Sequence, residues 1–508
     1  MAISVLRQTL EIEELVGSRQ GQALLRAEAI VPGAGRDAIE TLMSEADLVI
    51  GQVDVQEGRV VLEGTAHCQA VYRQGGEATL RSLTAQAQLN HAFELPGAAG
   101  DMPCRVAGEV EHVEANAQGG RLRLMAILRV QARVFSDEPL AVVTGIRNVD
   151  GLMVRTETLS GCQTVATGAQ DVLVRDECEL NAVLQITDTL YATATATVQD
   201  VMGGEERATI SGNILLEVTH RSGMPSRPIV VTRHTIPFEE TLSLMGENGE
   251  ALCCNAVVKD VAVLSQDGQE EGDRMLRAEV LLGLSAHATR RRDVCLLLDA
   301  YTTQGNLLML KTQQVMRALS HKQVHTAESG KLTLLLDGQA PARTPLRAAL
   351  RPIITDLTRA GGKLNVEGMM EATLLYMTDD SEVPQTYQAE EPFRMSFACD
   401  LSLPESLMLY PSNIEVTGIT SDRVEVKYIL HVSCYDVQLG DEPLVVGVDE
   451  RQAEPVEPGI LLCLSQPGET LWDIAKRYRV SCDSLKRMNP GLGDGEGETS
   501  ERVILWRK

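Results

Sequence analysis

Residues 59–73 read Arg59-Val-Val-Leu-Glu-Gly-Thr-Ala-His-Cys-Gln-Ala-Val-Tyr-Arg73. Val60, Leu62, Gly64, Ala66, Cys68, Ala70 and Tyr72 share one parity; Arg59, Glu63, Thr65, His67, Gln69 and Arg73 share the other. A period of two sends one set to a core and the other to solvent, so the stretch predicts a half-buried strand. The pattern returns at Ala208, Ile210, Gly212, Ile214, Leu216, Val218 and His220, and again at Leu364, Val366, Gly368, Met370, Ala372, Leu374 and Tyr376. Each time glycine holds the third inward position, at intervals of 148 and 156 residues. An inward glycine implies a bend or a close backbone approach, so its recurrence marks equivalent places in duplicated units.

A second alternating strand follows in each copy: Leu122 to Val134, Leu276 to Ala288, and Val424 to Cys434. Between the two lie an aromatic-bearing segment (Phe93; Pro237-Phe238; Pro392-Phe393) and a shorter apolar alternation (Val106 to Val113; Ala256 to Val263; Ile414 to Ile419). Closing strands are expected after a turn, and the first and third copies share Asp-Glu-Pro-Leu at 137–140 and 441–444. Ahead of each first strand the spacing of Ala38, Leu42 and Ala46 and the run from Pro345 to Leu350 suggest one short helix per copy. The expected architecture is mainly β: β-sandwich-like units at 1–150, 151–302 and 303–448, a linker at 449–459 and a separate module at 460–508.

With 508 residues the chain has material for several cores. Aromatics make up only 3%, so those cores rest on aliphatic side chains and Met. Seventy-one acids against 46 Lys and Arg give a formal charge of −25, which disfavours nucleic acid and anionic lipid as partners. The N-terminus lacks a basic stretch leading into a long apolar run, and about 18 uninterrupted apolar residues occur nowhere. No secretory leader and no membrane insertion are expected. Eleven cysteines without a C-x-x-C spacing suit buried thiols in a reducing compartment.

The acidic, proline-containing segment from Asp449 to Gly459 reads as an extended linker. Beyond it, strand, helix, helix and strand are expected. Thr470 caps a first helix with Leu471, Ile474, Ala475 and Tyr478 on one face, Ser481 caps a second with Leu485 and Met488 inward, and Val503 to Trp506 form the last strand. Gln466-Pro-Gly-Glu-Thr-Leu-Trp-Asp-Ile-Ala-Lys-Arg-Tyr478, with Val480-Ser-Cys-Asp-Ser-Leu485 and Asn489-Pro490, resembles a LysM domain. The resemblance implies a βααβ fold whose groove, in that family, binds N-acetylglucosamine polymers. By residue matching the groove falls at Gly468, Glu469, Thr470, Leu471, Asn489 and Pro490. Glu469 stands where Asp is more frequent, and the acidic, glycine-rich run Gly493 to Glu501 replaces the usual approach to the last strand.

The β-rich copies taken with a C-terminal LysM resemble the SPOCS domains of clostridial spore-coat morphogenetic proteins. That resemblance implies a coat assembly factor on the mother-cell side of the forespore, cytoplasmic, whose LysM binds the coat basement-layer ATPase, with other coat proteins as further partners. Peptidoglycan binding is the alternative. Trp472, on the flank of the first helix, reads either as core or as a partner anchor. Lys476, with Arg477, Arg479, Lys486 and Arg487, gives the module a basic face suited to an acidic protein surface.

Other residue groups read as structural. His321 and His325 lack the Glu of a zinc-hydrolase motif and precede a strand; Cys253-Cys254 reads as a tolerated thiol pair; Arg290-Arg-Arg292 reads as a solvated turn. Tyr72, His220 and Tyr376 share one repeat position with unlike chemistry, which points to packing. No nucleophile elbow, phosphate loop or dinucleotide fingerprint occurs, so no catalytic, cofactor or metal residue is expected.

Overall fold

The structure is a computed structural model. It describes residues 3–33, 38–75, 79–204, 206–267, 274–336, 338–379, 381, 383–399, 407–420, 422–454, 458–466, 468–490 and 502–507. The chain is mainly β. Strands β1 (Ser4–Leu10) and β2 (Glu14–Ile30) lead into β3 (Ile39–Gln56), β4 (Arg59–Gln74), β5 (Arg81–Glu94), β6 (Cys104–Gln118), β7 (Arg121–Ser136) and β8 (Leu140–Arg147). Next come β9 (Leu152–Leu180), β10 (Ile186–Gly204), β11 (Arg207–Ser222), β12 (Ile229–Ser243), the two-residue β13 (Met245–Gly246), β14 (Ala251–Asp267) and β15 (Arg274–Thr302). Then follow β16 (Leu307–Leu335), β17 (Ala342–Ala360), β18 (Lys363–Thr378), β19 (Gln385–Ala398), β20 (Leu407–Ile419) and β21 (Arg423–Arg451). The C-terminal module is β22 (Gly459–Leu464), α1 (Leu471–Tyr478), α2 (Cys482–Met488) and β23 (Arg502–Arg507).

Three antiparallel sheets have the orders β3-β4-β5, β10-β11-β12 and β17-β18-β19. Each closes an aliphatic core against β2, β7 and β6, against β9, β15 and β14, or against β16, β21 and β20. The central strand of each sheet carries the inward alternation, with Val60, Ile210 and Leu364 fully buried. Ile50 faces Gly64, Val198 faces Gly212 and Ile354 faces Gly368, and in all three cases the outer strand bulges at the next step. A Cβ on these glycines would press on the carbonyl oxygens of Val49, Thr197 and Ile353. The close approach and the bend occur together, and the bulge is what brings the carbonyl over the glycine.

The expected helices before these strands are absent: Ile39–Gln56 and Ala342–Ala360 are strands. Bulges between Thr41 and Met43 and between Pro345 and Arg347 shift the alternation by one residue. Leu42 and Met43 are consequently both buried, and the broken period of two imitates helical spacing. The expected turn before the closing strands holds only in the first copy. There Asp137-Glu-Pro139 separates β7 from β8, whereas Asp441 to Leu444 run inside β21, paired with β16. Arg290 to Arg292 likewise lie within β15, not in a turn; they pair with Glu247, Asp293 and Glu11.

Strands β9, β15, β16 and β21 each run 29 residues, so their far halves project beyond the sandwiches as two-stranded ribbons. The pair β1·β8 makes a third ribbon. Leu10 and Val142, Val294 and Leu296, and Val315 and Leu444 bring the three ribbons into one core. At the opposite end Leu42, Leu190 and Leu346, spaced as the glycines are, bring the three-stranded sheets into another. The arrangement has approximate threefold character within one chain.

Two buried polar networks sit where the units meet. Arg347 pairs with Glu45 at 2.8 Å and Glu217 at 3.2 Å and lies over the Tyr191 ring, whose hydroxyl donates to Glu45 at 2.9 Å. Glu13, fully buried, stands 3.0 Å from His321 Nε2 and 3.2 Å from Arg105, and accepts from Thr164 N at 3.2 Å. Its own N–H donates to Cys162 O and its carbonyl accepts from Ala318 N. His321 Nδ1 and His287 Nε2 both meet the Tyr435 hydroxyl, at 2.7 and 3.0 Å. His321 is thus an inter-unit contact, and it lies on a strand with His325.

Candidate partner-binding site

The C-terminal module folds around Leu471, Ile474, Ala475, Val480, Leu485, Val503 and Leu505. Thr470 Oγ1 accepts from Asp473 N, and the Asp473 carboxylate accepts from Thr470 N at 3.0 Å, closing a capping box. Ser481 caps α2 through Ser484 N. Arg479 ends α1 at φ 56, in the left-handed region, with its N–H returning to the last turn. Strands β22 and β23 pair from Gly459↔Arg507 to Leu464↔Arg502.

The matched groove residues carry internal duties. Gly468, at φ 80, makes the turn. Gln466 N donates to Glu469, whose carboxylate also pairs with Arg477 at 2.9 Å. Thr470 is the cap and Leu471 is core. Asn489 ties α2 to the last strand: its amide donates to Leu485 O and Ile504 O, and its Oδ1 accepts from Ile504 N. Pro490 is exposed beside it. Pro467 and the acidic loop from Gly493 to Glu501 lie outside the described residues.

Trp472 and Lys476 sit apart from that turn, on the flank of α1, and both reach the second ribbon. The indole Nε1 donates to Asp299 Oδ2 at 2.7 Å, and Lys476 Nζ lies 2.6 and 2.8 Å from the two carboxylate oxygens. The Tyr301 ring meets the indole edge-on at 4.9 Å, and its hydroxyl donates to Val480 O at 2.8 Å. Burial and the neighbouring Cys482 push the Tyr301 hydroxyl far above its ordinary pKa, so it stays a donor. Arg479 completes the contact through Thr302 O and Gly305 O. The basic face of the module therefore docks on the acidic body of its own chain.

Docking α1 leaves the outer face of the small sheet. Ile460, Leu462 and Leu464 on β22 are 74%, 67% and 62% exposed, and Ile504 and Trp506 opposite them 42% and 48%. This apolar stripe was readable in the alternation of 460–464, but without knowing which face α1 and α2 cover its exposure was not.

Elsewhere the side chains are structural. Tyr72, His220 and Tyr376 are buried at strand ends. Burial depresses the His220 pKa to about 4, which keeps the ring neutral between Thr189 and Thr232. Cys253 and Cys254 are both buried, and all eleven cysteines are free thiols. Among the described residues no helix is long and apolar enough to cross a membrane.

The family model described as SipL, SPOCS domain matches residues 37–118, which span β3 to β6. The LysM domain model matches residues 466–495, from the turn before α1 to beyond α2. No curated protein and no solved structure matches the chain. Both matched domains are non-catalytic binding domains, and the pair is that of a sporulation-coat-associated chain with a peptidoglycan-binding type of module. The chain carries a SPOCS domain of the SipL family and a C-terminal LysM domain.

Proposed function

We propose that this protein is a non-enzymatic assembly factor of the spore coat, acting in the mother cell around the forespore, whose LysM module recruits the coat basement-layer ATPase. In this reading the units at 1–150, 151–302 and 303–448 are SPOCS-like, 449–459 link them to LysM, and their sheet faces supply further contacts to coat proteins. Several weak surfaces on one chain raise effective concentration at an assembly site without a single tight pocket. The observation that carries the reading is the exposed apolar stripe of Ile460, Leu462, Leu464, Ile504 and Trp506. Such a surface suits a protein partner, since burying it supplies about 25 cal/mol per Å2.

Glycan binding is the competing use of the module, through Gly468, Glu469, Thr470, Leu471, Asn489 and Pro490. The two are separated with the full chain. The wild type should co-purify with the ATPase and fail to sediment with peptidoglycan, and Leu462→Asp should lose the ATPase while keeping its circular dichroism. Sedimentation with peptidoglycan, unaffected by Leu462→Asp and without ATPase capture, reverses the assignment.

A further inference from the structure

Where the three sandwiches face one another, a cavity of roughly 1000 Å³ opens between the first strands of the three-stranded sheets and the neighbouring edge strands. Its charges do not balance. Every lysine and arginine on the wall has a carboxylate partner: Arg347 holds Glu45 and Glu217, Arg233 holds Glu217, Lys259 holds Asp171, and Arg351 holds Glu371. Glu109 is paired with Arg129. Asp47 on β3 and Asp260 on β14 have no ion pair among the described residues, and the only hydrogen bond recorded for either is the one Asp260 accepts from its neighbour Val261 N. A further acceptor, Gln69 Oε1 on the same wall, is buried with no donor, its amide nitrogen being turned to Ala192 O. Asp47 is open to the cavity yet enclosed by protein, and that burial, with Glu45 nearby, raises its pKa to about 6.

Two uncompensated carboxylates and an orphan acceptor call for a ligand that is positively charged and donates hydrogen bonds. They stand on walls from two different units, and the half-exposed Val257 and Met408 line the space with them. Charges apart from one another with apolar surface alongside suit ammonium groups spaced along a methylene chain. A compact metal ion fits less well: among the described residues no three His, Cys, Asp or Glu side chains converge on one point. We propose that this inter-unit cavity binds an aliphatic polyamine, with Asp47 and Asp260 taking its ammonium groups and Gln69 Oε1 accepting an N–H.

The probe is spermidine, titrated calorimetrically into the full chain at about 0.15 M salt, where contacts to scattered surface charge are largely screened. One saturable site per chain is expected, weakened at least tenfold by Asp47→Asn and by Asp260→Asn. Both substitutions are isosteric and remove an unpaired charge, so the fold, followed by circular dichroism, should persist. Glu57→Gln, an exposed acid away from the cavity, should leave the affinity unchanged. Absence of a saturable site, equal weakening by Glu57→Gln, or displacement of spermidine by an equal concentration of Mg2+ would overturn the proposal.

Discussion

Asp299 Oδ2 accepts the Trp472 indole N–H at 2.7 Å across 173 residues of sequence, and the same carboxylate holds Lys476. The LysM module is thus oriented on the body by a single acid on the second ribbon, supported by Tyr301. Replacing Asp299 with Ala removes two charge-assisted contacts on a partly exposed site, worth about 1–3 kcal/mol to docking. The module keeps its own core, so Asp299→Ala should leave the main unfolding transition in place while speeding protease cleavage between Arg451 and Gly459. The chain has only two tryptophans, so a red shift in emission reports the loss of the Trp472 contact. An unshifted spectrum and unchanged cleavage would show that docking does not depend on Asp299.

The Glu13 junction makes stability depend on acid. Burial works to raise the Glu13 carboxyl, but His321, Arg105 and Thr164 outweigh it and hold the pKa at about 2, below the ordinary 4.5. A carboxyl depressed on folding contributes stability that is complete above its unfolded value and is lost as pH falls from about 4.5 towards 2. The shift corresponds to about 3 kcal/mol. Glu13→Gln should therefore lower the urea midpoint at pH 7 and flatten the decline between pH 4.5 and 2.5. The same acid profile in wild type and variant would refute the role given to Glu13.

Arg347 ties three sheets together, because Glu45 lies on β3, Glu217 and Thr219 on β11, and Tyr191 on β10. Met43, Tyr191 and Arg347 each follow the corresponding bulged leucine, so three equivalent positions have diverged into one mixed contact. Arg347→Met leaves two carboxylates without their cation in a largely buried setting and should cost roughly 3–5 kcal/mol. Adding Glu45→Gln should recover part of that loss, since one uncompensated charge is then gone. Additive losses in the double variant would mean that the two residues act independently.

The sequence disclosed the sandwiches through the period of two, and the LysM fold through Thr470, Ser481 and the apolar faces they precede. Its failures have one physical source. A bulge costs one residue of phase, so Leu42-Met43 and Pro345-Leu346 looked helical although they continue strands. The same cause hid the ribbons: bulges between Ala288 and Thr289 and between Leu297 and Asp299 break one 29-residue strand into pieces that read as strand, turn and strand. Contacts between distant segments leave no periodic trace. The flank position of Trp472 was legible, but its partner Asp299 was not, and neither was a cavity whose walls come from three units.

The inward glycines give a test of the duplicated design itself. At Gly368 a Cβ would strike Ile353 O and the Phe393 ring, and at Gly212 it would strike Thr197 O and the Phe238 ring. At Gly64 the obstacle is Val49 O at 2.6 Å, without an aromatic, because Leu89 stands opposite and Phe93 pairs with Val60. Backbone on one side cannot yield without opening the bulge, so Gly368→Ala and Gly212→Ala should each cost about 1–3 kcal/mol as overpacked sites. Gly64→Ala, lacking the ring, should fall at the low end of that range. Gly459→Ala meets nothing within 4 Å and serves as the neutral comparison. Thermal unfolding of the four variants measures this order, and a Gly368→Ala protein as stable as Gly459→Ala would show that the bulge accommodates a methyl group and that glycine is not required there.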